Sequence, residues 1–174
     1  MAALTIISGS PGAGKTTLCA RLAKGKERGL HVPSDLFYSF PAKPIDPTLP
    51  ESEAQNTAII RALGAVAASF LESGYEVFLD GIVGPWFLPT LLDEIPSGFS
   101  VAYLLLTVTE NEALDRVRAR EGRGMSARVL STRSAFAKAS GYEGHMLDTT
   151  SLDPDSLYRV VEDRLSNGHF RIDR

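Results

Sequence analysis

The sequence predicts an α/β domain in which a parallel sheet is covered by helices on both faces, all within a single 174-residue unit. Short apolar runs recur at residues 4–7, 77–79 and 101–107 without the alternation of a half-exposed strand. Segments of helical spacing separate those runs. A glycine-rich turn at residues 9–16 joins the first strand to the first helix, and parallel α/β sheets bind their ligands at such strand ends.

The elements follow in order. Leu4-Thr5-Ile6-Ile7 reads as a buried strand, and residues 17–24 as a helix with Leu18 and Leu22 on one face. Residues 29–33 form a second strand ending at Ser34-Asp35. Pro41, Pro44, Pro47 and Pro50 mark a stiff surface loop over residues 41–50. From residue 51 to 73, Ile59, Leu63, Val66 and Phe70 fall at helical spacing, with Gly74 as the C-terminal cap. The third strand spans residues 76–80 and is closed by Gly81. A short helix over 86–94 follows Pro85. Residues 101–107 are the most strand-like segment. Thr109-Glu110-Asn111-Glu112 reads as a capping box that starts a helix running to about residue 121. A helix over 127–139, a fifth strand over 145–148 and a last helix over 154–165 leave a short polar tail.

Bulk properties narrow the functional classes. The chain is 44% hydrophobic and 22% charged, ordinary for a globular domain. A net charge of −3 argues against a surface that coats nucleic acid. The N-terminal apolar run stops at Ser8, too short for a signal peptide or a membrane span. Cys19 is the sole cysteine and is expected as a small core residue; one thiol makes no internal disulfide, which suits a reducing cytoplasm. His31, His145 and His169 have no cysteine or carboxylate at ligand spacing, so no dedicated zinc site is expected.

The run Gly9-Ser10-Pro11-Gly12-Ala13-Gly14-Lys15-Thr16 fits G-x-x-x-x-G-K-[ST] in the required strand–loop–helix context. Its glycines let backbone N–H groups turn inward toward phosphate oxygens. Lys15 then reaches the β- and γ-phosphates, and the Thr16 hydroxyl is placed to ligand Mg²⁺. The expected nucleotide-binding set is this run together with Thr17, Arg116, Asp148 and Thr149. Asp80 ends an apolar strand in the Walker B manner and is expected to share the metal with Thr16; the competing use is a carboxylate capping a turn before Gly81. Asp35 follows the second strand and reads either as a general base for a substrate hydroxyl or as a helix N-cap. Asp148 reads as part of a turn near the nucleotide base.

Arg116, Arg118, Arg120, Arg123, Arg128 and Arg133 crowd one region, and Arg116, Arg120 and Arg123 share a helical face. A cationic stripe beside Gly122 and Gly124 suits a lid, over about residues 116–128, that closes on the triphosphate. A solvated face paired with Asp115 and Glu121 is the alternative. Phe37, Tyr38, Phe40, Trp86 and Phe87 gather after the second and third strands and could wall an organic substrate.

With these residues in place the chain resembles a small P-loop kinase of the nucleoside-monophosphate-kinase-like superfamily, an AAA-type ATP-binding domain. It is most similar to the branch containing chloramphenicol phosphotransferase, gluconate kinase, shikimate kinase and the zeta toxins. The resemblance implies a three-layer α/β/α P-loop NTPase fold whose five-stranded parallel sheet runs in the order 2-3-1-4-5. It also implies ATP and Mg²⁺ as cofactors and a small-molecule hydroxyl acceptor, with no nucleic acid or membrane as partner. Asp35 matches the aspartate that these families place beside the acceptor hydroxyl, and Arg116-x-x-x-Arg120-x-x-Arg123 looks like their lid pattern. Phe78-Leu79-Asp80-Gly81 is similar to the third-strand end of adenylate kinases. The expected catalytic residues are therefore Lys15, Asp35, Arg120 and Arg123, and the expected acceptor contacts are Asp35, Phe37, Tyr38 and Trp86. Ile82-Val83-Gly84-Pro85 lacks the arginine that helps adenylate kinases hold a second nucleotide. Lys43 and Arg61 are the only basic candidates near an acceptor anion, so a less charged organic alcohol fits better. A toxin-like or nucleic-acid-end kinase, or a nucleotide-dependent regulatory module, is the alternative on the same scaffold. GTPase switching is disfavoured, because no N-K-x-D occurs and Asp80-Gly81-Ile82-Val83 misses D-x-x-G.

Overall fold

The computed structural model describes residues 3–121, 126–137 and 140–173. Strands β1 (Ala3–Gly9), β2 (Gly29–Pro33), β3 (Glu76–Asp80), β4 (Ser100–Thr107) and β5 (Met146–Asp148) form one parallel sheet in the order β2-β3-β1-β4-β5. This is the order that the resemblance implied. The helices are α1 (Lys15–Lys24), α2 (Ser34–Tyr38), α3 (Glu53–Glu72), α4 (Leu88–Leu92), α5 (Glu110–Glu121), α6 (Ser126–Ala137) and α7 (Pro154–Ser166). Single 3-10 turns at Pro50–Ser52 and Pro85–Phe87 lead into α3 and α4.

Successive strand residues point to opposite faces of a sheet. Ile6, Leu79 and Leu105 join Ile60, Leu63 and Leu91 of α3 and α4 in one core. Ile7, Phe78 and Leu104 join Leu18, Leu22, Val117 and Val161 in the other. Both faces are dry, which is why the strands read as continuous apolar runs.

The buried stripe of α3 differs from the expected one. Ile59 and Leu63 are buried, but Val66 is half-buried and Phe70 is exposed; the stripe instead continues through Gly64, Ala67 and Leu71. The reason is proximity rather than hydrophobicity. A Cβ at Gly64 would stand 2.8 Å from the Leu91 carbonyl oxygen, so α4 closes on α3 where the residue is smallest.

The start of α5 is where the capping box predicts it, with different partners. The Thr109 N–H donates to Thr150 Oγ1 at 3.0 Å, while the Glu112 carboxylate takes Arg116 Nε at 2.8 Å. A better cation won the carboxylate, and the turn after β5 supplied the cap. The expected polar tail is also partly structural. Phe170 is buried, its carbonyl accepts from the Tyr103 N–H at 2.8 Å, and the Ile172 N–H donates to the Val101 carbonyl at 2.9 Å.

Tyr103 anchors the loop that follows β3. Its hydroxyl, fully buried, donates to the Val83 carbonyl at 2.9 Å, and burial pushes its pKa well above the usual tyrosine range. Tyr103→Phe is expected to lower stability by about 1–3 kcal/mol, because the dry Val83 carbonyl loses its partner. Urea unfolding with an unchanged m-value would register that loss.

Candidate functional site: a phosphate cradle beside an aromatic cavity

The carboxyl ends of β1, β2 and β3 converge on one edge of the sheet, and Lys15, Thr16, Asp35 and Asp80 follow or end those strands. The loop after β1 depends on glycine. Gly9 has φ 140° and Gly12 φ 83°; a Cβ would stand 2.2 Å from the Leu106 carbonyl oxygen at Gly9 and 2.8 Å from that of Ala113 at Gly12. With β4 and α5 pressed against its back, the loop turns its inner side to the mouth of α1. That helix starts at Lys15 with no side-chain cap and no acidic residue in its first turn. Its leading N–H groups and positive dipole end therefore suit an anion.

Lys15 Nζ donates to the Ser10 carbonyl at 2.9 Å and so folds back over the cradle. Thr16 Oγ1 donates to Asp80 Oδ2 at 2.6 Å. Asp80 is 3% exposed at the end of β3, in register with Ile7 of β1 and Pro33 of β2. The predicted metal pair is thus in contact. The donor set, one hydroxyl and one carboxylate beside a phosphate cradle, fits a hard cation such as Mg²⁺ that keeps several waters.

Asp80 has a second partner that the sequence did not reveal. His31 Nε2 lies 2.5 Å from Asp80 Oδ1. Cys19, fully buried as expected, also faces this point; one ligand atom from each of Cys19, His31 and Asp80 lies within 4.8 Å of the others. The expectation of no cysteine or carboxylate at ligand spacing from a histidine is corrected here. The sheet order sets β2 beside β3, and α1 lays Cys19 over them, so spacing along the chain hid the cluster. Burial, reinforced by the Asp80 charge and partly offset by Lys15, pushes the Cys19 thiol well above its usual pKa.

The acceptor side is a cavity of about 720 Å³. Asp35, Tyr38, Glu53, Asn56, Trp86 and Phe87 are among its lining residues. Asp35 stands in the first turn of α2, whose N-cap is Pro33 without a side-chain bond, so the capping alternative for Asp35 does not hold. Trp86 stacks obliquely on Phe136 with ring centroids 5.7 Å apart. Phe37 lies elsewhere: its ring packs on the core and on Phe40 at 5.1 Å, outside the lining. The proline loop closes the cavity and is fastened from α3. Gln55 exchanges two bonds with the Ile45 backbone, and Asn56 Nδ2 donates to the Pro47 carbonyl at 2.9 Å. Phe87 lines it as the aromatic grouping suggested, whereas Glu53 and Asn56 were not foreseen as lining; a polar Asn on an apolar helix stripe was the available signal. No lysine or arginine is among the described lining residues. Arg61 instead pairs with Glu94 at 3.4 Å.

Arg116 does not project freely as a lid residue. Besides Glu112 it reaches the Gly12 carbonyl at 3.4 Å and those of Thr149 and Thr150 at 3.4 and 3.3 Å, fastening the cradle to the turn after β5. Thr149 is buried, and its hydroxyl donates to the Thr107 and Ala13 carbonyls. Asp148 accepts from the Thr150 N–H and hydroxyl, which holds its pKa below the usual carboxylate range. It lines a smaller cavity of about 380 Å³ together with Ser10 and Arg133. Arg118 pairs with Asp115 at 3.6 Å, as on the expected solvated face. The Arg120 side chain, Arg123 and much of the expected lid lie outside the described residues. Among the described residues no helix is long and apolar enough to cross a membrane.

Solved structures with this architecture include a sugar kinase from Janibacter sp. HTCC2649, 20% identical, with a TM-score of 0.72 and 95% of each chain covered. A tunicamycin resistance protein from Deinococcus radiodurans is 18% identical, with a TM-score of 0.66 over 100% of both chains. A gluconokinase from Sinorhizobium meliloti 1021 is 16% identical, with a TM-score of 0.60, covering 96% of this chain and 98% of that one. At such identities the likeness is one of fold, that of the small P-loop kinases. No curated protein matches the chain in sequence. A family model described as an AAA domain matches residues 6–133, a span that holds the cradle, β2, β3, β4 and α5. The chain belongs to that AAA-domain family of nucleotide-binding P-loop proteins.

Proposed function

We propose that the chain is an ATP- and Mg²⁺-dependent phosphotransferase that moves the γ-phosphoryl group to a hydroxyl of a small organic molecule. The observation that carries this reading is that one sheet edge presents both halves of such a site. The Lys15–Thr16–Asp80 cradle follows β1 and β3, and the aromatic cavity holding Asp35 follows β2 and β3. Residues Gly9 to Thr17 hold the triphosphate, and Thr16 with Asp80 holds the metal directly or through water. Bound Mg²⁺ supplies charge neutralisation on the phosphate oxygens. Lys15 swings from the Ser10 carbonyl to the transferring group and stabilises charge as it shifts to the leaving oxygen. Asp35 accepts the proton of the acceptor hydroxyl as that oxygen forms its bond to phosphorus. Arg120 and Arg123 are assigned to the leaving phosphates, and Arg116 keeps the cradle in register. Tyr38 and Trp86 orient the acceptor body.

The lining favours a neutral or weakly charged alcohol over a phosphate or carboxylate, because carboxylates and aromatic rings face the cavity and no described basic side chain does. The test is a screen of hydroxyl compounds that pairs ATP consumption with mass detection of the product. At least one uncharged alcohol with an apolar body should stimulate ATP turnover and gain a phosphoryl group. ATP consumption that no acceptor in a broad alcohol set stimulates would count against the proposal and favour a regulatory nucleotide switch.

A further inference from the structure

The cluster behind the cradle is more than a support for Asp80. We propose that Cys19 Sγ, His31 Nε2 and an Asp80 carboxylate oxygen form a binding site for a soft divalent cation, zinc foremost, that competes with the nucleotide's magnesium for Asp80.

The donor types are those that zinc selects, one thiolate, one imidazole and one carboxylate, and magnesium takes neither of the first two. Zinc bonds of about 2.0–2.3 Å place tetrahedral ligand atoms about 3.3–3.8 Å apart. The three atoms already lie within 4.8 Å of one another, and the His31–Asp80 pair at 2.5 Å need open by only about 0.8 Å to reach ligand separation. The residues are rigidly carried. Cys19 sits on α1 one turn beyond Thr16, while His31 and Asp80 lie on the hydrogen-bonded strands β2 and β3. His31 is partly exposed, which gives an entry path beside the sheet edge.

Charge balance also favours occupancy by a dication. On binding, the Cys19 thiol releases its proton to solvent and His31 ligates as the Nδ1–H tautomer, with Nε2 as the donor atom. One thiolate and one carboxylate then neutralise the two positive charges. A buried thiolate next to Asp80 is costly by itself, and a cation bonded to it removes that cost. With three protein ligands a fourth position remains for water, the pattern of an exchangeable rather than a purely structural zinc. Because Asp80 also takes the Thr16 hydroxyl, an ion held by Cys19 draws the carboxylate away from the magnesium position. Zinc and magnesium–nucleotide should therefore oppose each other's binding by the same factor.

The experiment uses cobalt(II) as a spectroscopic stand-in on the full chain, in buffer reduced by a phosphine. Since Cys19 is the only thiol, a sulfur-to-cobalt charge-transfer band can arise from no other residue. One equivalent of cobalt should produce that band, and zinc should displace it. Cys19→Ser and Cys19→Ala should abolish it and weaken zinc binding by more than the about 10–100-fold that loss of an outer-sphere partner costs. His31→Asn should weaken zinc binding comparably while the protein stays folded by circular dichroism. The absence of a band, or equal zinc affinity in both cysteine variants and the wild type, overturns the site. This arm needs no nucleotide, so it stands apart from the kinase reading. In a second arm, magnesium–ATP should weaken cobalt binding; indifference to it overturns the sharing of Asp80.

Discussion

Lys15→Ala is expected to lower phosphoryl transfer by about 10²–10³-fold, the usual cost of removing one preorganised charge donor from a transition state. The side chain is partly buried and donates to the Ser10 carbonyl of its own loop. Deleting it leaves the Thr16–Asp80 contact, the glycine geometry and both cores in place. The melting temperature should therefore stay close to that of the wild type while turnover collapses. The measurement is kcat with the acceptor that the screen identifies, alongside a thermal melt. Full activity in a folded variant would mean that the cradle binds phosphate without using its lysine.

Asp35→Asn is the second large effect, an expected loss of about 10²–10⁴-fold in kcat with nucleotide affinity retained. The substitution preserves shape and removes only the basic oxygen. The geometry makes the result readable. Pro33, not Asp35, is the N-cap of α2, so the variant does not remove a helix cap, and Asp35 lines the acceptor cavity rather than the cradle. Nucleotide titration should return the wild-type dissociation constant. A variant that transfers phosphate at the normal rate would remove Asp35 as base and leave it a wall of the cavity.

The cradle and the two aspartates were legible because each is written locally, and the strand order came with the family resemblance that they carry. Gly9 through Thr16 needs no distant partner to be recognised, and apolar strands ending in Asp-Gly or Ser-Asp announce the carboxyl edge. What escaped depended on size or on distant pairing. The α3 stripe was misplaced because Gly64 carries no hydrophobic signal although it governs how closely α4 approaches. The capping partner of Thr109 was misassigned because Thr150 is 41 residues away. His31 and Cys19 were read separately because only the adjacency of β2 and β3 beneath α1 unites them. Phe37 and Tyr38 are neighbours of like character and both pack against the core, yet only Tyr38 also lines the cavity, a difference that composition cannot reveal.

The pairing of the C-terminal segment has a consequence for how the border of the sheet is protected. Strand β5 covers β4 only from Leu105 to Thr107, and residues 170–172 cover its earlier part in the opposite direction. The border of the sheet is therefore finished by two unrelated pieces of chain. Peeling the last few residues away would uncover the N–H of Tyr103 and the carbonyl of Val101 along an apolar strand, an open invitation for another molecule to add its own strand. Removing residues 169–174 should thus promote self-association before it disturbs the cradle on the opposite side of β4.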